Sequence, residues 1–194
     1  MTSIPVSHTP QRQLPGDLAI WFFILAELTV FALLFIVFTV ARINEPEVFI
    51  AGQATVHPVA GLINTLALIT SSYLVAVGVW KAEQGEFRQC GYAFCGAMGV
   101  ALIYVGTKGW EYQQLIAAGY NLSTNFYYTL YFLITFFHFM HVLLGMIILG
   151  FIARKSMQGQ YLAGELAGIE SGAVYWHMVD MVWVVLFPLV YVIH

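Results

Sequence analysis

The sequence predicts an all-α integral membrane protein with five transmembrane helices, and three observations predict it. The 194-residue chain is 60% hydrophobic and only 9% charged, with a mean hydropathy of +0.81, whereas soluble domains carry about 25% charged residues. A globule of this length has too little interior to hide so much apolar surface, so lipid is the solvent for most of it. Five apolar stretches, approximately 18–41, 56–80, 90–116, 126–153 and 172–193, each reach the roughly 20 residues needed to cross a bilayer core. In lipid every backbone N–H and C=O must be paired within the segment, so these stretches are helices.

The chain reads as a single membrane domain, residues 1–194, whose first 15 residues are a polar cytoplasmic tail. That tail, residues 1–15, holds Pro5, Pro10 and Arg12 and lacks the basic start and short apolar core of a cleaved signal, so the first span is expected to be retained. Pro15-Gly16-Asp17 makes a turn, with Asp17 placed as N-cap of the first helix. His57-Pro58 opens the second helix, where proline lacks only an amide that would be orphaned anyway. The third span carries Ala93, Ala97 and Ala101, with Gly91, Gly96 and Gly99 nearby, which reads as a face for close helix approach. Cys90 and Cys95 are the only cysteines. Five apart, they lie roughly 140° around a helix, so they read as small packing residues and not as a bridge.

The connections are short. The segment from Asn44 to Glu47 and the segment from Gly119 to Ser123 fall on one side. Lys81 to Arg88 and Arg154 to Glu170 fall on the other, with the tail. That second side gathers Arg12, Lys81, Arg88, Arg154 and Lys155, against Arg42 and Lys108 towards the first. The positive-inside rule then sets the N-terminus in the cytoplasm and the C-terminus, His194, outside, and the chain is expected in a bacterial cytoplasmic membrane with that end in the periplasm. A net charge of −3 without a basic run excludes nucleic acid as a partner.

Ionisable groups at membrane depth cost several kcal/mol unless partnered, so the polar residues inside the spans are the candidate functional set. They are Glu27; Asn64 and Thr65; Lys108 and Glu111; His138 and His141; His177 and Asp180. Counting about 1.5 Å of rise per residue puts Glu27 roughly 13 Å, Asp180 roughly 12 Å and His141 roughly 18 Å from one membrane face. Glu27, His141, His177 and Asp180 are therefore expected to form one interhelical polar layer. Lys108 and Glu111, three apart near the outer end of their helix, are expected to pair. Glu27 has three readings: a protonated acid bonded between helices, a lipid-headgroup partner, or a proton-relay group. His138, His141 and His177 could form a three-histidine metal site, but no His-Glu-x-x-His arrangement supports one. Histidines bonded between helices are the plainer reading. Trp21, Trp80, Trp110, Tyr112, Tyr120, Tyr127, Tyr128 and Tyr191 lie near span ends and read as an aromatic belt. No internal repeat is evident, and five spans do not divide into the paired halves of many transporters. A stand-alone transporter is thus the more distant alternative.

Together these residues resemble subunit III of the haem-copper oxidase family. Tyr175-Trp176-His177-Met178-Val179-Asp180-Met181-Val182-Trp183 is similar to the family's Tyr-Trp-His-Phe-Val-Asp-Val-Val-Trp, with Glu170 matching an acid shortly before it. The segment from Phe137 to Gly145 resembles Gly-Phe-His-Gly-Leu-His-Val-Ile-Ile-Gly. The segment from Phe22 to Glu27 resembles Phe-Phe-x-Ser-Glu, which aligns Glu27 with the family's buried glutamate. Leu62 to Thr65 resembles Leu-Asn-Thr, and Trp110-Glu111-Tyr112 resembles Tyr-Glu-Tyr. The mitochondrial-type subunit has seven helices, and this chain starts at what corresponds to the third. Five-helix members occur in bacterial quinol oxidases and among NorE-type proteins associated with nitric oxide reductase. The Pro15-Gly16-Asp17 entry and the segment from Trp21 to Leu28 look most like the NorE type.

The resemblance implies a subunit III-like bundle that is an accessory and not an enzyme, with no haem or copper of its own. It implies a catalytic partner subunit carrying haem, with copper or non-haem iron, in a nitric oxide reductase or in a cytochrome c or quinol terminal oxidase. It also implies bound phospholipid, and a role in assembly, stability, lipid binding or proton supply during respiratory electron transport.

Overall fold

The structure is a computed structural model and describes residues 18–161 and 166–193. Six helices account for nearly all of these: α1 Leu18–Asn44, α2 Pro46–Gln53, α3 Pro58–Glu83, α4 Phe87–Ala117, α5 Phe126–Met157 and α6 Ala167–Phe187. Five are long and apolar enough to cross a membrane, α6 together with the π-helical turn Pro188–Val192 that continues it. The expected turn at Pro15-Gly16-Asp17 and its cap lie outside the described residues, as do Arg12 and His194.

The spans run beyond their expected limits, because polar residues at a membrane surface continue a helix without loss of backbone pairing. α4 begins at Phe87 and α5 runs on through Arg154 and Lys155 to Met157. α6 begins at Ala167, five residues before the expected start, so Glu170 is helical. Local chemistry sets the ends. The Asn125 side chain accepts the Tyr128 amide at 3.1 Å and caps α5. Gly85 and Gly119, at φ 79° and 88°, follow the ends of α3 and α4 in the left-handed conformation glycine tolerates.

Helix α2 is an addition to the expected five. Pro46 supplies its first turn and Glu47 its acidic start. It reaches the far end of the chain: Gln53 Nε2 donates to the carbonyls of Val190 at 3.2 Å and Ile193 at 3.0 Å. Those carbonyls lie around the π turn that follows Pro188, which closes with Ile193 N–H donating to Pro188 O at 2.9 Å. Gln53 thus satisfies acceptors that lie beyond the regular helix.

Helix α6 packs against α1, α3 and α5, while α4 packs against α3 and α5. Without a hydrophobic drive in lipid, close approach depends on small residues and shape. Gly145 leaves room for Trp176, whose ring would lie 2.7 Å from an added Cβ. Gly78 and Gly61 similarly admit the rings of Phe94 and Phe187. The buried face of α4 runs Cys90, Phe94, Ala97, Ala101, Tyr104, Lys108, Glu111 and Leu115, alternating four and three residues, as a seam between nearly parallel helices does. The expected stripe of small residues is corrected accordingly. Gly91, Ala97 and Ala101 are buried, and a Cβ on Gly91 would lie 2.6 Å from Met157 and 3.0 Å from the Ala153 carbonyl on α5, but Gly96 and Gly99 are exposed. Helix α1 buries only Ile24, Phe31, Phe38 and Ala41 against the rest of the chain.

The aromatic belt is also only partly as expected. Trp80 and Trp110 are 52% and 46% exposed, but Tyr127, Tyr128 and Tyr191 are buried. Tyr128 and Tyr191 are hydrogen-bonding residues of the interior, and Tyr127 packs there against Phe38 and Phe49 with its hydroxyl unpartnered among the described residues.

Candidate polar site within the bundle

The inward polar residues form separate clusters, not one layer. Rise along a helix fixes depth but not direction, and direction divides the set. On α5, His138 and His141 are three apart yet turn to different neighbours. His138, fully buried, lies 3.0 Å from the Tyr104 hydroxyl through Nδ1 and 3.0 Å from the Val179 carbonyl through Nε2. The carbonyl only accepts, so Nε2 carries the hydrogen and Nδ1 accepts from Tyr104. Both ring nitrogens are engaged, and Trp183 packs over the ring at a centroid distance of 5.2 Å.

His141 turns towards α1. Its Nδ1 lies 2.7 Å from the Phe137 carbonyl, and its Nε2 lies 3.0 Å from Glu27 Oε2. Nδ1 must donate to the carbonyl, so a single proton lies between Nε2 and Glu27. Either the acid donates to a neutral imidazole, or an imidazolium donates to a carboxylate. Phe31 and Phe137 flank the imidazole edge-on at 5.3 and 4.6 Å. The Glu27 side chain keeps 20% exposure.

His177 and Asp180 lie elsewhere, between α6 and α3. The Ser72 hydroxyl is 2.5 Å from His177 Nδ1, whereas Asp180 Oδ1 is buried without a hydrogen-bond partner among the described residues. The imidazole borders a 260 Å³ groove shared with Trp80, Glu83 and Glu170. No hydrogen bond among the described residues joins this cluster to Glu27 and His141, and the expected four-residue network is therefore two. The three histidines likewise do not converge. Among the described residues no group of three or more His, Cys, Asp or Glu side chains is placed to hold a metal ion.

The fourth cluster is the most deeply buried. Lys108 Nζ donates to Glu111 Oε2 at 2.8 Å, to Tyr131 Oη at 3.0 Å and to Tyr191 Oη at 2.6 Å. Three N–H donors thus meet three oxygens. Tyr191 in turn donates to Glu111 Oε2 at 2.7 Å. Side-chain exposure is 0% for Lys108 and 1% for Glu111, and the ammonium also lies 4.8 Å from the Tyr131 ring centroid. This is more than the simple pair expected of residues three apart. Beside it Trp183 Nε1 donates to Thr65 Oγ1 at 3.0 Å, and Thr107 donates to Asn64 Oδ1. Trp176 is buried against Gly145, where its indole N–H has no partner among the described residues.

Tyr104, Ser72, Tyr131 and Gln53 escaped the sequence reading. A tyrosine in an apolar run carries no mark of its partner, although the four-three spacing of the α4 seam would have placed Tyr104 on the face of Lys108 and Glu111.

The family model of cytochrome c oxidase subunit III matches residues 3–194. Cytochrome c oxidase subunit 3 of Thermostichus vulcanus is 31% identical over 195 residues, covering 99% of this chain and 94% of that protein. Haem-copper oxidase subunit I+III of Aeropyrum pernix is 27% identical over 194 residues, covering 97% of this chain and 24% of that protein. Cytochrome c oxidase subunit 3 of Triticum aestivum is 34% identical over 130 residues, covering 67% of this chain and 48% of that protein.

Proposed function

We propose that this chain, which belongs to the cytochrome c oxidase subunit III family, is a non-catalytic accessory subunit docked in the membrane against a haem-bearing catalytic subunit. The observation that carries this reading is how the bundle uses its inward polar groups. Both nitrogens of His138 and Nε2 of His141 are taken up by partners on neighbouring helices, Nδ1 of His141 by the Phe137 carbonyl of its own helix, and the three donors of Lys108 by Glu111 on its own helix and by Tyr131 and Tyr191 on others. Such groups hold helices in register and leave little for a substrate or redox centre to bind. The fused subunit I+III relative supports a catalytic subunit as the neighbour, since its name joins the two subunits in one chain.

The partner is a haem-copper enzyme. The relatives' names favour a terminal oxidase, whereas the segment from Trp21 to Leu28 favours the NorE type and hence nitric oxide reductase. The basic residues Lys81, Arg88, Arg154 and Lys155 favour a cytoplasmic face at that end, in a bacterial cytoplasmic membrane, with α2 on the outer side. Glu27, partly exposed, and the buried His141 bonded to it are the pair through which a phospholipid or proton-supply role would act.

Deleting this chain from its host tests the reading. The haem absorption of the catalytic subunit and its initial turnover should persist, while activity decays faster during continuous turnover. Loss of all initial activity with the haem bands intact would contradict an accessory role.

A further inference from the structure

Two polar groups on one side of the bundle stand where hydrocarbon would otherwise be their solvent. Tyr73 on α3 is 67% exposed, and its hydroxyl makes no hydrogen bond among the described residues. His177 on α6 is bonded to Ser72 through Nδ1, and no bond among the described residues engages its Nε2. Tyr73 comes ten residues before the end of α3 at Glu83, and His177 ten after the start of α6 at Ala167. Glu83 and Glu170 line one groove, so these are the same end of the bundle, and both groups lie roughly 15 Å of helix from it. Helix α3 has 26 residues, about 39 Å in length, and overhangs a core of about 30 Å by about 4–5 Å at each end. Tyr73 and His177 are therefore about 10 Å inside the hydrocarbon. Acyl chains offer neither of them a partner, and an unpaired polar group there is costly.

The groove between α3 and α6 also has a sign. Glu83 and Glu170 line it, and no Lys or Arg among the described residues does. Lys81, next to Trp80 in the chain, is paired with Glu86 at 2.7 Å instead. A cation is the complement of such a groove. Transmembrane helices in general carry Lys and Arg at their cytoplasmic flank, and this is the end proposed above as cytoplasmic. We propose that the furrow between α3 and α6 is the docking surface for the catalytic subunit. A transmembrane helix of that subunit lies along it, sets a Lys or Arg in the groove beside Glu83 and Glu170, and presents a hydrogen-bonding side chain at the depth of Tyr73 and His177. This rests on the accessory reading and names the face through which it acts. The outer face of α1 differs, since Phe22, Leu25, Leu33 and Ile36 are exposed there and hydrocarbon suits them.

Photo-cross-linking of the tagged full chain in its native membrane tests it, with benzoylphenylalanine in place of Tyr73 or of Phe22, each 67% exposed. Position 73 should capture the haem-bearing subunit and position 22 lipid. Glu83→Lys, at an exposed position, should lower the haem-bearing subunit recovered with the chain about tenfold, because like charges across an interface repel. Glu83→Gln should lower it less. Capture of that subunit from position 22 and of lipid alone from position 73 would overturn the docking face and leave the accessory reading standing. Full recovery with Glu83→Lys would overturn the basic side chain in the groove. A preparation without any haem-bearing subunit would overturn the accessory reading itself, and this proposal with it.

Discussion

Replacing Lys108 with Met keeps an unbranched side chain one atom shorter and removes the one charge that balances Glu111. Four bonds meet at this point: the ammonium donates to Glu111, Tyr131 and Tyr191, and Tyr191 donates to the same carboxylate oxygen. Neither charged side chain has more than 1% exposure, so water cannot take over. Removing one partner of a buried pair costs about 3–5 kcal/mol, mostly from the charge left behind. At about 2–4 °C per kcal/mol for a chain of this size, the midpoint of thermal unfolding should fall by about 6–20 °C. The assay is built into the sequence: Cys90 is buried and Cys95 exposed. In a Cys95→Ser background a thiol-reactive fluorophore therefore reports unfolding through Cys90 alone. Lys108→Met with Glu111→Gln removes both charges and should recover more than half of the loss. A Lys108→Met midpoint within about 2 °C of the parent, below the range set by buried-pair energetics, would refute the reasoning.

Gly145→Val drives a side chain into Trp176 and Tyr175, at 2.7 and 3.3 Å from the first added carbon, and should cost about 1–3 kcal/mol. Gly99→Ala meets nothing within 4 Å and, in a helix interior where Ala is favoured over Gly by about 0.5–1 kcal/mol, should not lower the unfolding midpoint in the same assay and should raise it by about 1–4 °C. Glu27→Ala strips His141 Nε2 of its partner and should hasten loss of activity of the complex during prolonged turnover. Unchanged decay would remove Glu27 from the mechanism. Alkaline phosphatase fused after Ile193 should be active in bacterial cells, because that end is expected to face the periplasm. A fluorescent fusion there that folds only in the cytoplasm should stay dark.

The spans were legible because a bilayer imposes a length on apolar runs, and no interior packing information is needed to see it. Helix α2 was not, because eight residues opened by Pro46 fall below that length and resemble a link. The α5 and α6 ends ran past expectation for a related reason. Arg154, Lys155 and Glu170 end an apolar run without ending a helix. Within the bundle, the identity of the polar residues was readable and their pairing was not. Depth along the axis put Glu27 with Asp180, but their helices turn them to different sides, and Ser72 and Tyr104 supply partners that composition does not flag. Lys108 and Glu111 were an exception, since spacing of three on one helix fixes direction as well as depth. Even there Tyr131 and Tyr191 arrive from other helices, which one sequence cannot bring together.

The central claim is a haem-bearing partner, and extraction of the tagged chain from its native membrane in mild detergent tests it most directly. The account predicts that a catalytic haem-copper subunit stays bound in stoichiometric amount, its haem spectrum and mass identifying an oxygen reductase or a nitric oxide reductase. A chain that emerges alone and folded from several gentle detergents would contradict the account, and flux through liposomes containing it alone would then be the property to measure.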